Sequence, residues 1–161
     1  MKIHQYDPRD IEAFQDPIWR ISNLYSIRIR DGSVIRFRPR PQQLAVLEML
    51  FSHGHKRIII LKARQIGFST LLGVVCCDQL CFNPGQQISL IDQTLEDARQ
   101  KLKSIVVLAY DSMAAELRAG LPIIRSNTGE VCVNYSRFED AKASVLYAGT
   151  PCRRQQQPCL G

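Results

Sequence analysis

The chain has 161 residues, 45% hydrophobic and 22% charged, with a net charge of +6. That is enough for one domain with a core and the ordinary make-up of a soluble globular protein. No apolar run is long enough to span a bilayer, and Met1–Gln5 carries no apolar signal region, so neither membrane insertion nor export is expected. The six cysteines (Cys76, Cys77, Cys81, Cys132, Cys152 and Cys159) show no paired CxxC spacing and read as reduced, small hydrophobes rather than a zinc site. The positive charge favours a polyanionic partner.

In chain order, residues 1–23 read as a polar arm. Asp7-Pro8 and Asp16-Pro17 break any long helix, Asp10 to Phe14 forms at most a helical turn, and Trp19 anchors the arm. Residues 24–38 read as a hairpin with a three-residue loop, Asp31-Gly32-Ser33. That register sets Ile29 opposite Ile35 and Ile27 opposite Phe37. Arg28, Arg30, Arg36 and Arg38 then share the other face, which is either solvated or in contact with phosphates. Residues 42–51 read as a helix with Leu44, Leu47 and Leu50 on one side. Ile58 to Leu61 is wholly apolar, as in a central parallel strand. A second helix, 69–82, is apolar nearly all round, and Asn83-Pro84-Gly85 ends it. Gln87–Ile91 reads as a strand. Thr94 with Asp97 opens a long helix to about Arg118. Ile123–Arg125 and Val131–Tyr135 read as strands around an Asn127-Thr128-Gly129 turn, and Ser144–Tyr147 as a last one. The order predicts an α/β domain with a largely parallel sheet flanked by helices.

Lys62-Ala63-Arg64-Gln65-Ile66-Gly67-Phe68-Ser69-Thr70 joins the apolar run at 58–61 to the second helix. Strand, short Gly-containing loop with hydroxyls, then helix is the layout of a phosphate-binding loop. Such a loop needs converging backbone N–H groups, a cation for the phosphates and a hydroxyl for Mg²⁺. Gly67 meets the first need, and Ser69, beside Thr70, meets the third. Phe68 stands where the usual motif has Lys, so the cation is sought at Lys62, where the first Gly of the usual motif falls, or at Arg64. The other reading is a polar strand-to-helix connection. Upstream, Gln43 carries an amide that can donate to and accept from an adenine edge at once. The same amide can instead satisfy a backbone group at the helix start.

Phe37-Arg38-Pro39-Arg40-Pro41-Gln42-Gln43, followed by Lys62 to Ser69, resembles the start of the large terminase ATPase of tailed bacteriophages. So does Ile88 to Ala98, a strand leading into a Thr-Leu-Glu-Asp-Ala helix start. The similarity covers residues 19 to about 150. It implies a P-loop ATPase domain over 24–150 after the arm, with ATP and Mg²⁺ as cofactors. Gln43 would read adenine, and Lys62, Arg64, Gln65, Gly67, Ser69 and Thr70 would form the nucleotide site, with Ser69 on the metal. The implied partners are double-stranded DNA, a terminase small subunit and a portal, in the cytoplasm of a bacterial host. Homo-oligomers would be expected only of the full-length form.

A hydrolytic motor also needs an acidic residue at the end of a later apolar strand. Of the predicted strands after residue 85, only Gln87–Ile91 ends against an acid, at the Ile91-Asp92 junction, one strand too early for the family's order. A nuclease carboxylate cluster is not found, and the pattern fades over 151–161. The resemblance therefore implies an incomplete motor, truncated or frameshifted, with a sheet edge left exposed. Two other readings share these residues: a fragment of another helicase-like DNA translocase, and a non-catalytic basic nucleic-acid-binding protein with a vestigial loop.

Overall fold

A computed structural model describes residues 10–55, 57–61, 66–133 and 143–150. The chain opens with α1 (Asp10–Ala13) and α2 (Pro17–Asn23). Asp16-Pro17, expected as a breaker, starts α2. Asp16 Oδ1 accepts from the Ile18 amide at 2.8 Å. Proline costs nothing in a first turn whose N–H groups have no helical partner. Ile21 at the end of this segment is fully buried, so residues expected as an arm supply part of the core.

The hairpin consists of β1 (Ser26–Arg28) and β2 (Val34–Arg36). Its register differs from expectation by two residues: Ile27 faces Ile35 and Arg28 faces Val34. The loop keeps three residues but shifts back by one, to Arg30-Asp31-Gly32. The Ile29 amide bonds Ser33 O at 2.9 Å and the Gly32 amide bonds Ile29 O at 3.0 Å. This is a type I turn closed by a following residue, in which Gly takes the third place. Because the shift is even, Arg28 and Arg36 still share a face, now with Val34.

Helix α3 (Pro41–Phe51) matches its expected span and buries Gln43, Val46 and Leu47. Ile58–Leu61 does not form the expected central strand. No hydrogen bond to another described residue joins these positions to a sheet, and Ile59 and Leu61 are 90% and 94% exposed. An apolar run is a central strand only when strands lie on both its edges, and none of the described strands pairs with it.

Helix α4 (Phe68–Phe82) is the spine of the core, with Leu71, Val74, Cys77, Leu80 and Cys81 essentially inaccessible. Strand β3 (Gln87–Ile91) follows, as expected. The expected long helix is interrupted. It runs as α5 (Leu95–Lys101), a π-helical turn (Leu102–Val107) and α6 (Leu108–Asp111), then breaks before α7 (Ala115–Gly120). Thr94 caps α5: its Oγ1 accepts from the Asp97 amide at 3.0 Å and donates to Asp97 Oδ2 at 2.6 Å. The wide π turn packs on α4 at Gly73, where an added Cβ would lie 2.5 Å from Ile105 Cγ2. Only a glycine leaves the Ile105 side chain room at this position.

Strands β4 (Ile123–Ser126), β5 (Glu130–Val133) and β6 (Ser144–Gly149) complete a sheet of order β3-β6-β5-β4. The expected largely parallel sheet is therefore corrected to a mixed one. Only β3 and β6 run parallel, while β6–β5 and β5–β4 are antiparallel. The Asn127–Gly129 turn, too short for a crossover, forces the β4–β5 pair to be antiparallel. Leu146, Val131 and Val133 join the α4 core. The architecture is mixed α/β, with helices packed on a small sheet. No helix among the described residues is long and apolar enough to cross a membrane.

Candidate nucleotide site at the start of α4

Gly67 precedes α4 with φ 77° and ψ 21°, a left-handed conformation that an L side chain adopts only under strain. Its carbonyl accepts the first helical bond, from the Leu71 amide at 3.0 Å. Phe68, at the position where the usual motif has Lys, turns inward and is 6% exposed. It anchors the helix start in the core, and the two hydroxyls that follow are left outside: Ser69 is exposed and Thr70 half-buried. The first turn of α4 thus presents N–H groups that lack a helical partner among the described residues, and two hydroxyls, with its apolar residue directed away.

Gln43 is brought to this loop from α3 but does not present a free amide. It is 3% exposed. Its Nε2 donates to Gly67 O at 3.0 Å and Ile66 O at 3.2 Å, and its Oε1 accepts from the Arg40 amide at 2.9 Å. The side chain joins the start of α3 to the end of the loop. Gly67 is fitted to it, since a Cβ there would lie 3.2 Å from Nε2.

Clefts surround the helix start. One, of about 290 Å³, joins Gly67 and Thr70 to the hairpin and is lined by Ile27, Ile29 and Ile35 together with Arg38 and Arg40. A second, of about 260 Å³, reaches Thr70 from Arg28 and Arg30. A third, of about 140 Å³, is lined by Ser69, Leu72, Gly73, Asp92 and Lys101. Here the Lys101 ammonium is paired with Asp92 Oδ2. The hydrogen bond from Lys101 holds the Asp92 carboxyl below its ordinary range, so it stays charged at neutral pH. Asp92, of the Ile91-Asp92 junction in the sequence, therefore shares a cleft with the Ser69 hydroxyl. Lys101 carries no motif that would have singled it out, because its role depends on β3 and α5 folding side by side.

Lys62, Arg64 and Gln65 lie outside the described residues. Of the remaining expected site residues, Gln43, Gly67 and Thr70 meet in one cleft, and Ser69 opens into the next. A larger cleft, of about 480 Å³, lies between Arg99, Lys103 and the Asn127–Thr128 turn. It includes none of the expected site residues. At the far end of α4 the chain is closed: Asp78, 0% exposed, is held by Arg20 Nε and Nη2 at 2.9 and 2.8 Å and by the Tyr25 hydroxyl at 3.0 Å. Burial beside Asp78 raises the Tyr25 hydroxyl well above its ordinary value, so it remains a donor. No protein-family model and no curated protein matches the chain.

Proposed function

We propose that this chain is the nucleotide-binding part of a terminase-like DNA-packaging motor, with ATP as the bound nucleotide. The observation that carries the reading is the start of α4: a left-handed Gly67, then Ser69 and Thr70 in the first turn, opening onto clefts lined by cationic side chains. This arrangement fits a triphosphate, because a helix start and arginines line the same clefts, and both favour negative charge. The donor chemistry also suits Mg²⁺, which would take over from Lys101 the Asp92 carboxylate that lines one cleft with the Ser69 hydroxyl, both of them oxygen donors suited to a hard cation. Lys62 and Arg64 would hold phosphates and Ser69 the metal. Bound Mg²⁺ would neutralise charge developing on the phosphates. The chain's own residues bind and orient: Gln43 fixes the loop, Phe68 roots the helix start in the core, and the arginines draw in the anion.

The test is Mg·ATP binding by the wild type against Lys62→Ala and Ser69→Ala. Equal binding by all three would remove the loop from the site. A second reading, a basic nucleic-acid-binding protein without nucleotide chemistry, is favoured by the exposed Arg28 and Arg36 on one hairpin face. Salt-sensitive DNA binding that ignores ATP would select it.

A further inference from the structure

Resting on the reading of the α4 start as a triphosphate site, we infer that Lys101 is a phosphate-binding cation held in reserve by Asp92. When Mg·ATP enters, the pair parts: the Asp92 carboxylate passes to the metal, and the Lys101 ammonium passes to the phosphates.

The placement of the pair carries this. Ser69 and Gly73 stand one turn apart on one face of α4, and both line the cleft that Asp92 and Lys101 also line. Ile105, four residues after Lys101, lines it too and lies against Gly73. Lys101 thus shares a small cleft with the first-turn hydroxyl, brought there from α5. Phe68 fills the usual lysine position and is buried, so a cation delivered from α5 meets the need that Phe68 leaves. It adds to whatever charge the loop itself brings.

The two ends of the pair are fastened differently. Asp92 Oδ1 accepts from the Gln93 amide at 2.9 Å, Oδ2 accepts from Lys101 Nζ, and the Asp92 amide bonds Gly149 O at 3.2 Å. When Lys101 leaves, Oδ1 stays anchored and Oδ2 is freed, an oxygen suited to a hard cation. Lys101 is held through Nζ, at the end of a flexible four-carbon stem, and its side chain is 41% exposed against 18% for Asp92. An exposed pair contributes little to stability, so parting it costs little. In the closed pair the two charges cancel. A triphosphate arriving without metal meets a carboxylate and a cation already engaged. With the carboxylate matched by the metal, the ammonium is free to bond a phosphate oxygen. The pair thus makes nucleotide binding wait for the metal.

The experiment is titration of the wild type, Lys101→Met, Asp92→Asn and the double variant with Mg·ATP and with ATP in EDTA. Lys101→Met should weaken Mg·ATP roughly tenfold, the loss of one bond to a charged group. Asp92→Asn should act the other way without metal. ATP in EDTA should bind it about tenfold tighter than the wild type, because the ammonium is released to bond a phosphate and a repelling charge is gone. In the Lys101→Met background the same change can only remove repulsion, so its gain should be smaller by about threefold or more, the strength of an exposed pair. A pair that merely holds the cleft in shape predicts another pattern, with both single changes weakening ATP in both conditions. That pattern would overturn the inference and leave the nucleotide reading in place. So would Lys101→Met binding Mg·ATP at wild-type strength, or an equal gain from Asp92→Asn in both backgrounds. A wild type that does not bind Mg·ATP would overturn the nucleotide reading itself.

Discussion

Asp78 and Ser69 belong to the same helix, yet their surroundings are opposite. Around Asp78 every polar group is matched. Arg20 gives it two bonds and spends Nη1 on the carbonyls of Phe14 and Gln15 at 2.7 and 3.2 Å. The guanidinium also lies over the Phe82 ring at 4.6 Å. Around Ser69 the side chain is exposed and the neighbouring charges stand across an open cleft. One end of α4 is thus fixed by a closed polar network, and the other keeps its first turn available. The closed end holds the helix so that the open end need not be stabilised by contacts a ligand would have to displace.

Four changes break or sharpen this contrast. The largest effect is expected from Asp78→Ala, which leaves the Arg20 cation buried without its partner and should cost about 3–5 kcal/mol in urea denaturation. The joint change Arg20→Met with Asp78→Leu should recover much of that loss. A loss below about 1 kcal/mol for Asp78→Ala would show that the closed end does not anchor the helix. Next is Gly73→Ala, whose methyl collides with Ile105 and should cost about 1–3 kcal/mol. Adding Ile105→Ala should relieve the collision, visible as coupling in a double-mutant cycle.

Asp92→Asn should cost less, at most about 1 kcal/mol at pH 7, as for other solvent-accessible pairs. Its sign with pH is set by the lowered carboxyl. The folded value lies below the ordinary 3.8, so the pair's contribution is complete above about pH 4 and disappears as pH falls through the folded value. Denaturation midpoints of wild type and variant should therefore converge in acid. Smallest in stability is Ser69→Ala, within about 0.5 kcal/mol. Mg·ATP affinity should nonetheless fall roughly tenfold, as expected for loss of one bond to a charged group. That pairing of results would mark the open end as a place built for a ligand.

Much of the fold was legible where local pattern decides. The alternation of Ile88 and Leu90 after Pro84-Gly85 marks β3, and the Leu44–Leu47 spacing after Pro41 marks α3. The hairpin loop was legible in length but not in place, because Asp31-Gly32 suits two neighbouring three-residue loops. What failed depends on distant partners. Ile58–Leu61 has a strand's composition, but composition does not supply a neighbour. Arg20 reads as a surface charge until Asp78, 58 positions away, closes on it. Thr94 and Asp97 announce the start of α5, while nothing local announces the π turn that follows. At the site, Gly67 before two hydroxyls pointed to the helix start. The partners of Gln43 were hidden, since an amide bonds a base and a carbonyl with the same atoms.

The π turn at Leu102–Val107 closes its hydrogen bonds one residue further along than an α-helix would. It holds, in effect, one surplus residue between α5 and α6. Excising the exposed Lys103 would let the turn rewind to ordinary pitch, with Ala98 before it and Ala109 after it keeping their phase toward the core. Ile105, four residues before Ala109 and on the same face, would be reseated against Gly73, and both of these residues line the Ser69 cleft. The extra residue is a spacer wound into the helix, and it sits where the helix lines the cleft.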